Sequence, residues 1–208
     1  MAKAVFFNTY KLKKDSSVPD FVQSVEDLVN NYVSKQKGFV SVMLMNDGDL
    51  WADYGVFETM EDAINFENPT EPHESALKFY SFLNFSSCKS RIYSVEKSLE
   101  RLPIEPGVVT MVTFKLRQGV SVEDFRLATE KLFREHSANN DEVVSKMQLV
   151  KDDLWADLIC WKSMNGPKNA GKAEADKSND PINEYLAFVG MVPFHRHFSV
   201  VKSYGLVE

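Results

Sequence analysis

Asp49-Leu50-Trp51-Ala52-Asp53 recurs residue for residue as Asp153-Leu154-Trp155-Ala156-Asp157, further along the same chain. A repeat at a fixed offset is read before any single element, because it sets how many structural units the chain holds. Working outward, the same shift aligns Lys11-Leu12 with Lys115-Leu116, Ser17-Val18 with Ser121-Val122, and Asp20-Phe21 with Asp124-Phe125. Without a gap, residues 5–65 and 109–169 share 20 of 61 positions. The match blurs after Phe66 and returns one position later, pairing Arg91 with Arg196 and Lys97-Ser98 with Lys202-Ser203. The chain therefore reads as two copies, 1–98 and 107–208. A linker over 99–106 joins them, marked by the breakers Pro103 and Pro106 with Gly107 just beyond.

Within a copy, Ala4–Leu12 is rich in β-branched and aromatic residues and predicts a strand. Val18, Phe21, Val22, Val25, Leu28, Val29 and Tyr32 then recur with the helical period, behind Ser17 as N-cap and Asp20 in the first turn. Val122, Phe125, Leu132 and Phe133 repeat the pattern behind Ser121. Gly38–Met45 and Leu50–Phe57 predict a hairpin across Asn46-Asp47-Gly48-Asp49, followed by a helix capped by Thr59. A last strand is expected over Phe85–Lys97, and over Met191–Lys202 in the second copy. Lys168–Lys177 predicts an exposed helix. The order in each copy is βαββαβ, the ferredoxin-like arrangement of α+β proteins.

Such a sheet has two faces and helices for only one of them. Alternation places Leu50, Ala52, Tyr54 and Val56 on one face and Trp51, Asp53, Gly55 and Phe57 on the other; the second copy sets Leu154, Ala156, Leu158 and Cys160 against Trp155, Asp157, Ile159 and Trp161. The aliphatic row is expected under the helices and the Trp/Asp row against a second sheet. The predicted fold is thus two ferredoxin-like repeats packed sheet to sheet, an intramolecular dimeric α/β barrel with the pseudo-dimer supplied by one chain.

Composition narrows the functions. Lys and Arg number 24 against 30 Asp and Glu, a net charge of −6 that opposes attraction to phosphate backbones and anionic membranes, so neither nucleic acid nor membrane is expected as partner. The apolar runs are too short to span a bilayer, and Ala4–Phe7 meets Asn8 at once, which predicts a cytoplasmic protein without a leader. Cys88 and Cys160 belong to no CxxC or Cys/His cluster and read as packing residues. No phosphate loop, nucleophile elbow or dinucleotide fingerprint is present.

The βαββαβ order, with the passages Trp51–Met60 and Trp155–Met164 of the form WAD…(F/W)-x-(T/S)-M, resembles the dimeric α/β-barrel superfamily, in the group related to antibiotic biosynthesis monooxygenases. That group holds cofactor-free quinone-forming oxygenases, haem-degrading enzymes and other barrels. Haem degradation would require an Asn, Trp and His set. Asn8 fits the first position, but Phe66 or Ala170 stands at the Trp position and Ala76 or Asp180 at the His position, with His73 beyond Pro72. Cofactor-free relatives line their cavities with Asn, Trp and Arg, and Asn8, Trp51 or Trp155, and Arg91 or Arg196 offer matching types; with Trp161 and Asp53 they are the candidate substrate-binding residues.

The second copy carries the denser polar set. In Phe194-His195-Arg196-His197-Phe198 the two histidines share a strand face. A His with a carboxylate is a general-base pair, so His197, His195 and Asp157 are the candidate catalytic residues, expected in the barrel interior with an imidazole within hydrogen-bond reach of Asp157. If the histidines lie under the helices instead, Arg91 and Arg196 become the better candidates. The same His-x-His with Asp157 could clasp a metal, yet the first copy has Ser90 and Ile92 there, and no metal or other cofactor is expected. The functional expectation is a small-molecule-binding barrel: a cofactor-independent monooxygenase or proton-transfer enzyme on an aromatic or polyketide-like compound. The alternative is a non-catalytic ligand-binding or structural barrel. Further self-association is left open.

Overall fold

A computed structural model describes residues 3–101, 105–175 and 180–205. The first copy runs β1 (Ala4–Leu12), α1 (Val18–Asn31), β2 (Phe39–Asp47), β3 (Leu50–Phe57), α2 (Met60–Glu67), α3 (Glu74–Ser81) and β4 (Leu83–Glu100). The second runs β5 (Val108–Lys115), α4 (Val122–Lys131), β6 (Val143–Lys151), β7 (Leu154–Trp161), α5 (Asn165–Ala175), α6 (Asp180–Phe188) and β8 (Phe194–Tyr204). The predicted caps form: the Ser17, Ser121 and Thr59 side chains accept from the amides of Asp20, Asp124 and Asp62. Each expected second helix is a pair of helices. In the first copy Pro69 and Pro72 interrupt the chain between α2 and α3, and His73 caps α3 by accepting from the Ser75 amide. The expected helix at 168–177 is the latter part of α5, and its last two residues lie outside the described residues.

β1 pairs with β3 and β4, β2 with β3, β5 with β7 and β8, and β6 with β7, each antiparallel. Strand order is β4-β1-β3-β2 in the first copy and β8-β5-β7-β6 in the second. Each copy has the ferredoxin-like α+β arrangement expected. Two compact units emerge: one holds the chain up to Val95 and from Val200 onward, the other Glu96–Ser199. Leu99 and Glu100 of the expected linker belong to β4, and residues 102–104 lie outside the described residues.

The hairpin turns show why the two copies tolerate different residues. Gly48 adopts φ +63°, and Asp152, the corresponding residue, adopts φ +55°. Asp is among the few L-residues that accept this region, because its short side chain can bond the local backbone.

One expectation is reversed. The Trp/Asp row of β3 and β7 faces the helices, and the aliphatic row faces away. Phe21 of α1 meets Trp51 edge to face at 4.8 Å, and Phe125 of α4 meets Trp155 at 4.9 Å. Period-2 alternation separates two faces without saying which is which. Here the decision lies in volume: the helices carry bulky Phe21, Phe79 and Phe125, and the indoles fill the depth between helix and sheet, burying Trp51 and Trp155.

Candidate functional site

In the second unit a cavity of about 300 Å³ opens between the sheet and α5 and α6. Lys146 of β6 and Asp157 of β7 meet there, Nζ 3.4 Å from Oδ2, with side chains only 5% and 10% exposed. Tyr185 of α6 donates to the same carboxylate oxygen at 2.9 Å. Behind it Gln148 donates to Thr129 at 3.0 Å and to the Tyr185 hydroxyl at 3.4 Å. Burial, then the Asp157 charge, hold the Tyr185 phenol well above its usual range, so it stays a donor. Lys146 also lies over the rings of Phe133 and Tyr185. Asp157 Oδ1 has no hydrogen-bond partner although it is buried. Burial, reinforced by the Lys146 charge, lowers the pKa of His136 on the cavity wall.

Across the cavity, Thr110 of β5 is flanked by two donors or acceptors of the site. Trp161 Nε1 donates to its Oγ1 at 2.8 Å, and His197 Nδ1 lies 2.8 Å from the same oxygen. His195 stands edge to face with His197, ring centres 4.9 Å apart. Register explains the room for this set: Thr110 pairs with Ile159 and with His197, where the first copy pairs Phe6 with Gly55 and with Ile92. A phenylalanine over a glycine thus becomes a threonine over an isoleucine, and the space released admits an imidazole.

The first unit has its own cavity, of about 250 Å³. Asn8 of β1 donates to Asp53 Oδ1 at 2.9 Å. Burial pushes the Asp53 carboxyl up to about 7 against the Tyr10 hydroxyl and Asn8 amide beside it, with the Glu67 charge adding to the rise. Burial also raises Glu67, which accepts from Ser90 at 3.1 Å. The Tyr10 hydroxyl lies beside Asp53, yet its placement leaves it without a well-formed hydrogen bond.

No family model and no curated protein matches this sequence. Solved structures do match in fold. A candidate monooxygenase of Fusobacterium nucleatum superposes with TM-score 0.67 at 12% identity, covering 97% of this chain and 94% of that one. An anthrone oxidase-like protein gives 0.62 at 12%, covering 100% and 95%. A Listeria monocytogenes ferredoxin-fold protein related to antibiotic biosynthesis monooxygenases gives 0.54 at 13%, covering 97% and 95%. The chain has the fold of the monooxygenase-like α/β barrels.

Within this monooxygenase-like fold, the sequence candidates separate into three groups. His195, His197, Asp157 and Trp161 line the cavity of the second unit, and Asn8 and Asp53 that of the first. Trp51 and Trp155 are core, packed on Phe21 and Phe125. Arg91 and Arg196 are exposed and line neither cavity, because Arg91 pairs with Phe7 and Arg196 with Met111 on the sheet face turned from the helices. The histidines lie on the helix-covered face, not in the barrel interior, and Asp157 lies there with them. The expected imidazole–carboxylate contact is not the one formed, since Asp157 takes Tyr185 and Lys146. Among the described residues no group of three or more His, Cys, Asp or Glu could hold a metal ion. Likewise none of their helices is long and apolar enough to cross a membrane.

Sequence reasoning missed Lys146, Tyr185, Thr110 and Tyr10. A signal existed in the columns where the copies disagree. Val42 becomes Lys146, Leu44 becomes Gln148 and Ile92 becomes His197, each an apolar residue of one core exchanged for a polar one at an inward position.

Proposed function

We propose that the second unit binds an acidic aromatic compound, a phenol or an enolisable polyketide-like ring, and moves its proton in the cytoplasm without a resident cofactor. The observation that carries the reading is the buried Lys146, a cation lining the same cavity as the His197 imidazole. A buried ammonium stabilises a phenolate or enolate far better than water-exposed charge does, because the local dielectric is low. Thr110 Oγ1 accepts from Trp161 Nε1 and lies 2.8 Å from His197 Nδ1, fixing the imidazole that serves as the base. His195 and Trp161 wall the ring. The electron-rich anion so formed is the species that dioxygen oxidises directly, and the likeness to an anthrone oxidase-like protein supports a hydroxylated anthrone as the first compound to try.

The test is oxygen uptake with 1,8-dihydroxyanthrone, followed alongside quinone absorbance. Uptake that disappears in His197→Ala, with the melting temperature nearly unchanged, supports the reading. Binding without uptake favours the second reading, a non-catalytic carrier of the same compound. Stabilisation by haem or flavin would overturn the cofactor-free part.

A further inference from the structure

We propose that the first unit holds a second small-molecule site of opposite charge preference, taking an aromatic or aliphatic primary amine or amidine. The argument starts from a difference between copies in one sheet position. Asp53 pairs across the sheet with Leu44, and Asp157 with Gln148, in the same register. In the second unit the aspartate has a lysine from the next inward position of β6, Lys146; in the first, that position is Val42. Asp53 therefore lies in a comparable apolar setting without its counterpart's internal cation.

The polar atoms that converge on this cavity include acceptors that lack a full set of donors. Asn8 uses its amide nitrogen on Asp53, and its Oδ1 is buried without a partner. The Tyr10 side chain, only 2% exposed, carries an unpartnered hydroxyl, and Glu67 adds a second carboxylate. Unmet buried polar atoms cost stability, which a ligand bearing several N–H groups would recover. Apolar walls from Phe6, Val29, Phe66 and Phe79 suit a ring or alkyl body.

Other charged or titratable groups do not substitute for the missing cation. Lys89 of β4 lines the cavity but is exposed to solvent, where its charge is screened. His73 spends Nδ1 capping α3 and stacks its ring on Tyr32 at 5.0 Å. Tyr80 of α3 and Cys88 of β4 are both held in their neutral forms, chiefly by burial. An ammonium or amidinium entering the cavity thus meets Asp53 and Glu67 without competition from a buried positive charge, whereas a carboxylate ligand would meet repulsion.

The experiment uses the whole chain and two probes of the same shape, 2-naphthylmethylamine and 2-naphthoate, with binding read by calorimetry and by amide shifts. The amine should bind and shift residues of β1, β3 and α3, weaken about tenfold or more in Asp53→Asn, and weaken as pH falls through about 7 as Asp53 takes a proton. Tyr10→Phe, which places the ring that the second copy has at Phe114, keeps the test open if the Asp53 variant does not fold; it should weaken the amine severalfold. In Lys146→Met/Asp157→Asn, amine binding should persist while naphthoate binding is lost. Loss of naphthoate binding in the wild type would sink the function proposed for the second unit and leave this one standing. Equal binding of the amine and neutral 2-methylnaphthalene, or indifference of the amine to both Asp53→Asn and Tyr10→Phe, would overturn it.

Discussion

Lys146 Nζ stands 3.4 Å from Asp157 Oδ2, and the pair is almost sealed from solvent. Removing one partner of a buried pair strands the other charge, at about 3–5 kcal/mol. Lys146→Met should therefore destabilise the protein by that order. Asp157→Asn, added to it, should restore most of the loss, because the Tyr185 hydroxyl still has an oxygen to bond. Urea unfolding of the two single variants and the double gives the coupling; strictly additive effects would show that the pair does not act as one.

Asp53 makes stability depend on pH in the direction opposite to a salt-bridged carboxylate. Folded, it keeps its proton to about 7; unfolded, an aspartic acid loses it near 4. Between those values the folded state binds the extra proton. Its contribution is thus present at low pH and falls as pH rises through the window. Asp53→Asn should flatten that slope and, at pH 8, stabilise the protein by on the order of 1–3 kcal/mol once solvent in the cavity is allowed for. Denaturation midpoints at pH 5 and pH 8 decide it, and an unchanged slope in the variant would contradict the assignment.

Gly55 is required by its cross-strand partner. A Cβ built there would lie 2.2 Å from Phe6 Cε1, and that ring is held by stacking on Phe66 at 5.3 Å. Gly55→Ala should cost about 1–3 kcal/mol as an overpacked core. Phe6→Thr in the same chain should relieve it, since Thr110 opposite Ile159 is tolerated in the other copy. Thermal melts of the single and double variants are the check: a double variant less stable than Gly55→Ala would refute the pairing argument.

Thr110 serves both stability and the proposed proton transfer. Thr110→Val keeps the shape but leaves the buried Trp161 indole N–H without its acceptor, at about 1–3 kcal/mol. It also releases His197 Nδ1, so turnover should fall further than ligand affinity, with a pH–rate profile displaced from wild type. If affinity and turnover fall together while the profile stays in place, Thr110 does not orient the base.

Much of the fold was legible because its signals are local. Ser17, Ser121 and Thr59 announce helix starts through a bond to an amide three residues on, and Gly48 announces its turn through backbone freedom alone. The repeat of DLWAD marked the strand whose two rows organise each copy. The breaks between paired helices were harder to place, since the copies diverge most there and offer no second sequence to compare.

Sequence alone determined that the chain holds two βαββαβ copies and that Trp, Asp and an aromatic share one face of the third strand in each. Only the tertiary structure decided which face the helices cover, because alternation is symmetric and the volume of Phe21 and Phe125 breaks the tie. It also decided the partners of the two aspartates. Asp157 is met by Tyr185, 28 positions on, and by Lys146 from the neighbouring strand, whereas Asp53 meets Asn8 and, among the described residues, no buried cation. Those contacts join residues far apart in the chain, where periodicity carries no information and only close packing assigns neighbours.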